Sequence, residues 1–352
     1  GRVTVAGGGR DLVDDGPFRW SAAAADRLEL LAPQPPSGNA GVKIRRIREV
    51  RYPNARVALG ALNRGEVALV EHVPPDRLAE LARNPEYKIG KYTRPSVHRI
   101  AIDGRTPILR NRNLRRGLSF AIDRRTLLEE TLLRRPPDAA NLVADGVFPK
   151  GTYADAPDVK PLTYDLVLAK ALVAAARKES GKPIALTFEY PATAEAQAVA
   201  PKIAEALKQA GVEIKAVERL ESELESELRA GRRFDLAYRA TPCGEPAVEG
   251  GPMITPAYDA PASSDPLAAL ASPHILQLLL QLERAPEWPT ARGLVVEIDR
   301  ECRDELPVLP LWQLEDHYVW RSRLKGPSES ADRLYQGVET WEVERWFARD
   351  SW

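Results

Sequence analysis

The sequence predicts an α/β protein in two lobes, and three observations predict it. A strand–helix–strand–helix–strand run fills the middle of the chain, β-rich segments lie at both ends, and 352 residues are more than one core comfortably organises. The run begins with PIALTFEYP (Pro183 to Pro191) and continues into TAEAQAVAPKIAEALKQAG. There Val199, Ile203, Leu207 and Ala210 recur at helical spacing and Gly211 follows as a stop. VEIKAVERL is the second strand, with Val212, Ile214 and Val217 as its apolar members. Ser222 and Glu225 form a capping-box pattern ahead of Leu224, Leu228 and the stop Gly231, and FDLAYRA (Phe234 to Ala240) is the third strand. Strands joined by helices in this way form a parallel sheet.

Upstream, KIRRIREVRY, EVALVEHV, EYKIGKY and VHRIAID are short β-type runs bounded by Pro, Gly or Asn. Between them ARVALGALNRG is a small helix with Val57, Ala61 and Leu62 inward and Gly65 as its stop, and Pro75 opens a further helical stretch. TYDLVLAKALVAAARKES starts a long helix at a Thr/Asp boundary and stops before Gly181. From Thr241 to Pro273 the chain is rich in Pro, Gly, Ala and Asp without periodicity, and long irregular segments in compact proteins are often functional. Two helices follow, near Ser272 to Ala285 and Thr290 to Glu305, before β-type sequence returns at VLPLWQL and HYVWRSRL. No internal repeat is evident.

Composition excludes several function classes. Fifty basic residues balance fifty acidic ones, whereas a protein that tracks phosphate backbones shows a basic excess, so no nucleic-acid partner is expected. The arginine-rich stretch Arg110 to Arg125 has Leu114, Leu118 and Ile122 four apart and reads as an amphipathic helix with a solvated basic face. No apolar run is long enough to span a bilayer. Two cysteines are no disulfide framework. Cys302 continues the stripe Leu294, Ile298, Leu306 and is expected as a buried, reduced thiol rather than a partner of Cys243.

The chemistry of catalysis is hard to find. His72, His98, His274 and His317 have no metal-ligand spacing, and no H-E-x-x-H, C-x-x-C, P-loop or G-x-S-x-G occurs. Gly7-Gly8-Gly9 completes no dinucleotide fingerprint and reads as a turn. The pairs Asp14-Asp15 and Asp304-Glu305 read as surface carboxylates, because nothing assigns two partners to one pocket. No catalytic residue, metal ligand or cofactor is therefore expected. Five of the seven tryptophans, Trp312, Trp320, Trp341, Trp346 and Trp352, crowd the last stretch of chain and read mainly as core.

Several blocks in order resemble the bacterial extracellular solute-binding proteins of family five, the dipeptide, oligopeptide and nickel binders. LRRGLSFAIDRRTLLEETL is similar to the family's Arg-x-Ala-hydrophobic-x-Tyr-Ala-Ile-Asp-Arg helix through Arg115 or Arg116, Ala121, Ile122, Asp123 and Arg124. TYDLVLAKALVAAA resembles a family helix start through Tyr164, Asp165, Ala169 and Leu172, and KIAEALKQAGVEIKAV a family helix-to-strand passage. RAGRRFDLAYR matches through Gly231, Phe234 and Asp235, and ELPVLPLWQ and RSRLKG through Pro307, Pro310, Leu311 and Gly326. DDGPFRW and ALNRGEVALV resemble two upstream segments.

The resemblance implies a two-lobed periplasmic-binding-protein-like fold of type II, closing by a hinge on a ligand in an interlobe cleft. Lobe one would comprise residues 1–103 with 308–352 returning to it, and lobe two residues 104–307, with the N-terminal part of lobe one missing before Gly1. The implied function is the extracytoplasmic substrate-binding component of an ABC-type importer, a periplasmic or extracytoplasmic protein, membrane-anchored through a missing N-terminus. Its partners would be a peptide-like small solute and the permease subunits, and the protein itself a monomer and no enzyme. The alternatives are a sensory or scaffold domain that has lost transport and, third, a hydrolase of peptide-like substrates, which would need paired titratable groups the sequence does not offer. Peptide binders of the family carry a Trp and an Asp after the Phe-Asp strand, for the ligand's amino terminus. Here that segment, YRATPCGEP, has neither, and the candidate ligand contacts are Tyr238, Arg239, Thr241 and Glu245.

Overall fold

The computed structural model describes residues 2–6, 18–24, 27–32, 43–134, 142–154, 156, 163–257, 261, 264–270 and 273–344. Gly7 to Gly9, Asp14, Asp15, Trp346 and Trp352 lie outside these. Two compact units form, one from residues 1–94 with 315–352 and the other from 95–314.

The first unit opens with β1 (Arg2–Ala6), β2 (Arg19–Ala24), β3 (Arg27–Leu31) and β4 (Arg46–Val50), followed by α1 (Ala55–Arg64). The Asn54 side chain accepts a hydrogen bond from the Val57 amide at 3.0 Å, and Gly65 ends α1 in the left-handed conformation. Its buried face is Ala58, Ala61 and Leu62. Val57, expected inward, is exposed, because the i, i+3, i+4 stripe starts one residue later. Then come β5 (Leu69–Val70), α2 (Leu78–Leu81) and β6 (Tyr87–Tyr92).

The second unit begins at β7 (Ser96–Ile102), whose residues are all buried. Next are α3 (Arg112–Ala121), α4 (Arg124–Thr126) and a π-helical turn over Leu127–Leu133. Leu114, Leu118 and Ile122 are buried as their spacing predicts. The basic face is not all solvated, however. Arg115 and Arg124 are buried, where they donate to backbone carbonyls, Arg115 to those of Leu109, Arg110 and Glu305 and Arg124 to those of Ser119 and Pro310. A guanidinium has five donors, so one arginine can gather several orphan carbonyls of irregular backbone.

The long helix is α5 (Leu166–Ser180), capped by Asp165 and ended by Gly181. After it run β8 (Ala185–Pro191), α6 (Ala194–Gln209), β9 (Glu213–Arg219), α7 (Glu221–Arg229) and β10 (Leu236–Pro242). β9, β8 and β10 are adjacent and parallel, the βαβαβ unit expected from the periodicity. The capping box is not made: α7 starts at Glu221 behind Leu220 with no side-chain cap, and Glu225 is engaged elsewhere. The segment read as irregular contains α8 (Pro246–Ile254), started by Pro246 in its first turn. Helices α9 (Pro273–Glu283) and α10 (Trp288–Glu305) lead into β11 (Val308–Leu314).

The sheet of the second unit has the order β11-β7-β10-β8-β9, with β7 antiparallel to both neighbours. The units therefore part at 94/95 and 314/315, not at 103/104 and 307/308. Strands 96–102 and 308–314, read as belonging to lobe one, form backbone ladders with the second unit's sheet, and a ladder binds a strand to its partner more strongly than its place in sequence does. Cys302 lies on the inner stripe of α10 with Val295 and Ile298. Both cysteines are buried and neither is in a disulfide, and burial pushes the Cys302 thiol well above its ordinary range, with help from Asp299.

The returning chain adds β12 (His317–Arg321), β13 (Leu324–Lys325), β14 (Ser330–Ala331) and β15 (Glu342–Val343) to the first unit. Its main sheet has the order β14-β6-β12-β5-β1-β4-β3-β2, and β13 pairs with β15. Trp320 and Trp341 are core of this unit and Trp312 is core of the other.

Candidate functional site

β10 carries three of the four expected contacts and alternates them across the sheet. Tyr238 points to one face, where its hydroxyl lies 2.7 Å from Nδ1 of His98. Burial, and secondarily Glu195, raise its phenol well above the usual range, so it is a neutral hydrogen-bonding group.

Arg239 and Thr241 point to the other face, beside Arg99, which stands opposite Arg239 in the β7–β10 register. Arg239 donates Nε and an Nη to the two oxygens of Glu225 at 2.9 and 2.8 Å, a paired geometry. Arg99 donates to Oγ1 of Thr241 at 3.0 Å and to the Pro252 carbonyl at 3.1 Å. Burial first, and then the charge of Arg239, pull the Arg99 guanidinium down to about 9. Burial works against ionisation of Glu225, but the paired hydrogen bonds and the charges of Arg239 and Arg99 hold it below the usual carboxylate range. Tyr238, Arg239 and Thr241 are thus engaged within the unit: they fix the end of β10 and the start of the following loop.

Glu245 differs from these three. It is exposed at the N-cap of α8 and accepts a hydrogen bond from the hydroxyl of Tyr153, which itself accepts from the Ala247 amide at 2.8 Å. Burial first and Glu245 second raise the Tyr153 phenol above its ordinary range. The Tyr153 ring meets the indole of Trp288 edge-on, with centroids 4.6 Å apart. Trp288 opens α10, is 52% exposed, and with Pro289, Arg292, Gly293 and Val296 lines an open depression of about 390 Å³.

The carboxylate expected from the loop is therefore linked through one phenol to an indole shelf with a guanidinium beside it. Sequence reasoning missed Tyr153, Trp288 and Arg292, which lie far from Glu245 along the chain. The proline after Trp288 and the long helix behind it were the available signal. Among the described residues no group of three or more His, Cys, Asp or Glu side chains could hold a metal ion, and no helix is long and apolar enough to cross a membrane. An indole face, a carboxylate and a guanidinium can together hold a small solute that has apolar, donor and acceptor groups.

The model of the bacterial extracellular solute-binding proteins, family 5 Middle, matches residues 10–243. No curated protein matches in sequence. Among solved structures, the ABC transporter-associated periplasmic binding protein DppA from Helicobacter pylori, in complex with the peptide STSA, superposes with a TM-score of 0.78 at 17% identity. A dipeptide-binding protein from Pseudoalteromonas sp. SM9913, in complex with Met-Leu, gives 0.77 at 15% identity. NikZ from Campylobacter jejuni, in complex with Ni(L-His), gives 0.75 at 14% identity. These matches cover 94%, 94% and 93% of this chain, and 63%, 64% and 67% of the three others, so the chain spans less than two thirds of the length of the first two.

Proposed function

Because this chain belongs to the bacterial extracellular solute-binding proteins of family 5, we propose that it is the substrate-binding component of an ABC-type importer and holds a peptide-like small solute without turning it over. The family match over residues 10–243 carries the proposal, and the indole shelf joined to Glu245 through Tyr153 supports it. In this reading the segment Tyr238 to Pro246 is the binding segment. Glu245 accepts from solute N–H groups, Trp288 packs against an apolar side chain, and Arg292 takes a carboxylate or carbonyl. Tyr238, Arg239 and Thr241 hold the segment in place from below. The protein acts outside the cytoplasm as a monomer, held at the membrane through its N-terminus, and delivers the solute to permease subunits.

Binding without turnover is the test. In calorimetry, Met-Leu or the tetrapeptide Ser-Thr-Ser-Ala should bind saturably, with a dissociation constant near micromolar, or about 8 kcal/mol. Mass spectrometry after long incubation should recover the peptide intact. Cleavage products that scale with protein concentration would make the protein a hydrolase instead.

A further inference from the structure

Glycine weakens the interior of a helix relative to alanine, because it has more backbone freedom to lose, so a glycine there calls for a reason. Gly117 in α3 has a packing reason. A Cβ on it would come within 3.1 Å of Val173 and 3.3 Å of the Ala169 carbonyl, where α3 lies against α5. Gly293, in the second turn of α10, has no such reason. A Cβ there would meet nothing within 4 Å, and the backbone is ordinary right-handed helix that any residue adopts.

What adjoins Gly293 is the open depression lined also by Trp288, Pro289, Arg292 and Val296. Helical spacing puts the glycine one turn from Pro289 on one side and one turn from Val296 on the other, so it forms the floor between them. Trp288 is a fixed wall, because the Tyr153 ring holds its edge while half of the indole stays exposed. Three of the walls are apolar and Arg292 is the polar one. A methyl on Gly293 would project into this space, since no protein atom stands in its way. The helix thus gives up stability at a position where a side chain would fill the depression, the exchange of stability for function that binding surfaces make.

We infer that Gly293 is a specificity-determining residue: by lacking a side chain it leaves room for a large apolar side chain of the solute, and so favours peptides that carry one over peptides of small residues. The inference rests on the reading that the chain binds a peptide-like solute at the indole shelf. A side chain the size of leucine or methionine, laid on α10 at Gly293, covers Trp288, Pro289 and Val296 and gains by the apolar area it removes from water. Arg292, next to the glycine, donates to an adjacent carbonyl or carboxylate of the same solute. A methyl-sized side chain leaves the walls wet, gains little, and leaves space for a methyl on Gly293 as well.

The test compares Met-Leu and Ala-Ala on the wild type, Gly293→Ala and Gly293→Leu by calorimetry, with thermal unfolding alongside. The wild type should bind Met-Leu about tenfold or more tightly than Ala-Ala. Gly293→Ala should weaken Met-Leu by about 5- to 10-fold and leave Ala-Ala within about twofold, because the added methyl takes space that only the larger side chain uses. Gly293→Leu should bind Met-Leu no more tightly than Ala-Ala. Gly293→Ala should also raise Tm by about 2–4 °C, since alanine is the better helix former and meets no clash, so its weaker binding cannot come from unfolding. A raised Tm with both peptides bound as by the wild type makes Gly293 an ordinary surface glycine and overturns the inference. A lowered Tm, or an equal loss for both peptides, overturns it too. If the wild type binds neither peptide, the peptide-binding proposal falls together with this one; if it binds them and the variants match it, only this one falls.

Discussion

Trp288 leaves about half of a large indole in water at the start of a long helix, next to a phenol that holds its edge. A half-exposed ring of this size offers apolar area that a bound solute can cover. We expect Trp288→Ala to weaken binding of Met-Leu by about 1 kcal/mol, roughly fivefold, with little change in Tm, as read by calorimetry and thermal unfolding. Arg112→Ala is the control: Arg112 pairs at the surface with Asp304 and Glu305, and exposed pairs contribute little. Unchanged binding by Trp288→Ala would remove the shelf from the site. The tryptophans nearer the C-terminus look equally eligible in the sequence, yet Trp312, Trp320 and Trp341 are fully buried. Which indole faces water is decided by packing, not by position in the chain.

Helix α7 and strand β10 are joined by one ion pair that no spacing rule foretells. Glu225 looks like the partner of Ser222 in a capping box, but it faces β10 and takes both donors of Arg239. Its carboxyl is held below its ordinary value of 4.5 in the folded protein, so the pair's contribution is fully present above that pH and is lost as pH falls through the lower folded value. Glu225→Gln should therefore cost about 1–2 kcal/mol at neutral pH, and its denaturant midpoint should converge on that of the wild type in acid. Parallel pH curves would show that the pair does not set the acid limb. The end of α7 depends on Gly231, at φ 79°, where an added Cβ would come within 2.7 Å of the Cβ of Ser264. Its carbonyl is also held by Arg105 at 2.7 Å. Gly231→Ala meets both the left-handed penalty and a clash, and should lower stability by about 2–3 kcal/mol in urea unfolding.

At the scale of the molecule, the core clusters respect the division into units. The largest runs from Val97 to Trp312 and Leu314, and a smaller one joins Ala101 and Ala237 to Leu224, Leu228 and Phe234. The five strands of that sheet also lie wholly within residues 95–314. A fragment spanning 95–314 should then fold alone, with one cooperative unfolding transition and dispersed amide resonances. A molten fragment would mean that the unit borrows stability from the other. The first unit is different in kind, because its main sheet takes β12 and β14 from the far end of the chain and cannot close without them.

Local chemistry alone determined much of this protein. The βαβαβ run, the stops at Gly65, Gly181 and Gly231, the Asp165 cap and the buried, free Cys302 all follow from periodicity and backbone preference, interactions a few residues long. Helix α8 escaped because its Pro, Gly-Gly and Pro lower helix propensity, and packing of Met253 and Ile254 into the core overrides that. The burial of Arg115 and Arg124 escaped because an arginine's environment depends on which carbonyls the fold leaves unpaired. Of the candidate site, the segment from Tyr238 to Glu245 was legible as the exit of a strand. Tertiary structure alone turned Tyr238, Arg239 and Thr241 inward, set Glu245 outward, and brought Tyr153 and Trp288 to it. A strand's alternation says that successive side chains face opposite ways, but what waits on each face is assembled from distant sequence, and no local rule reaches that far.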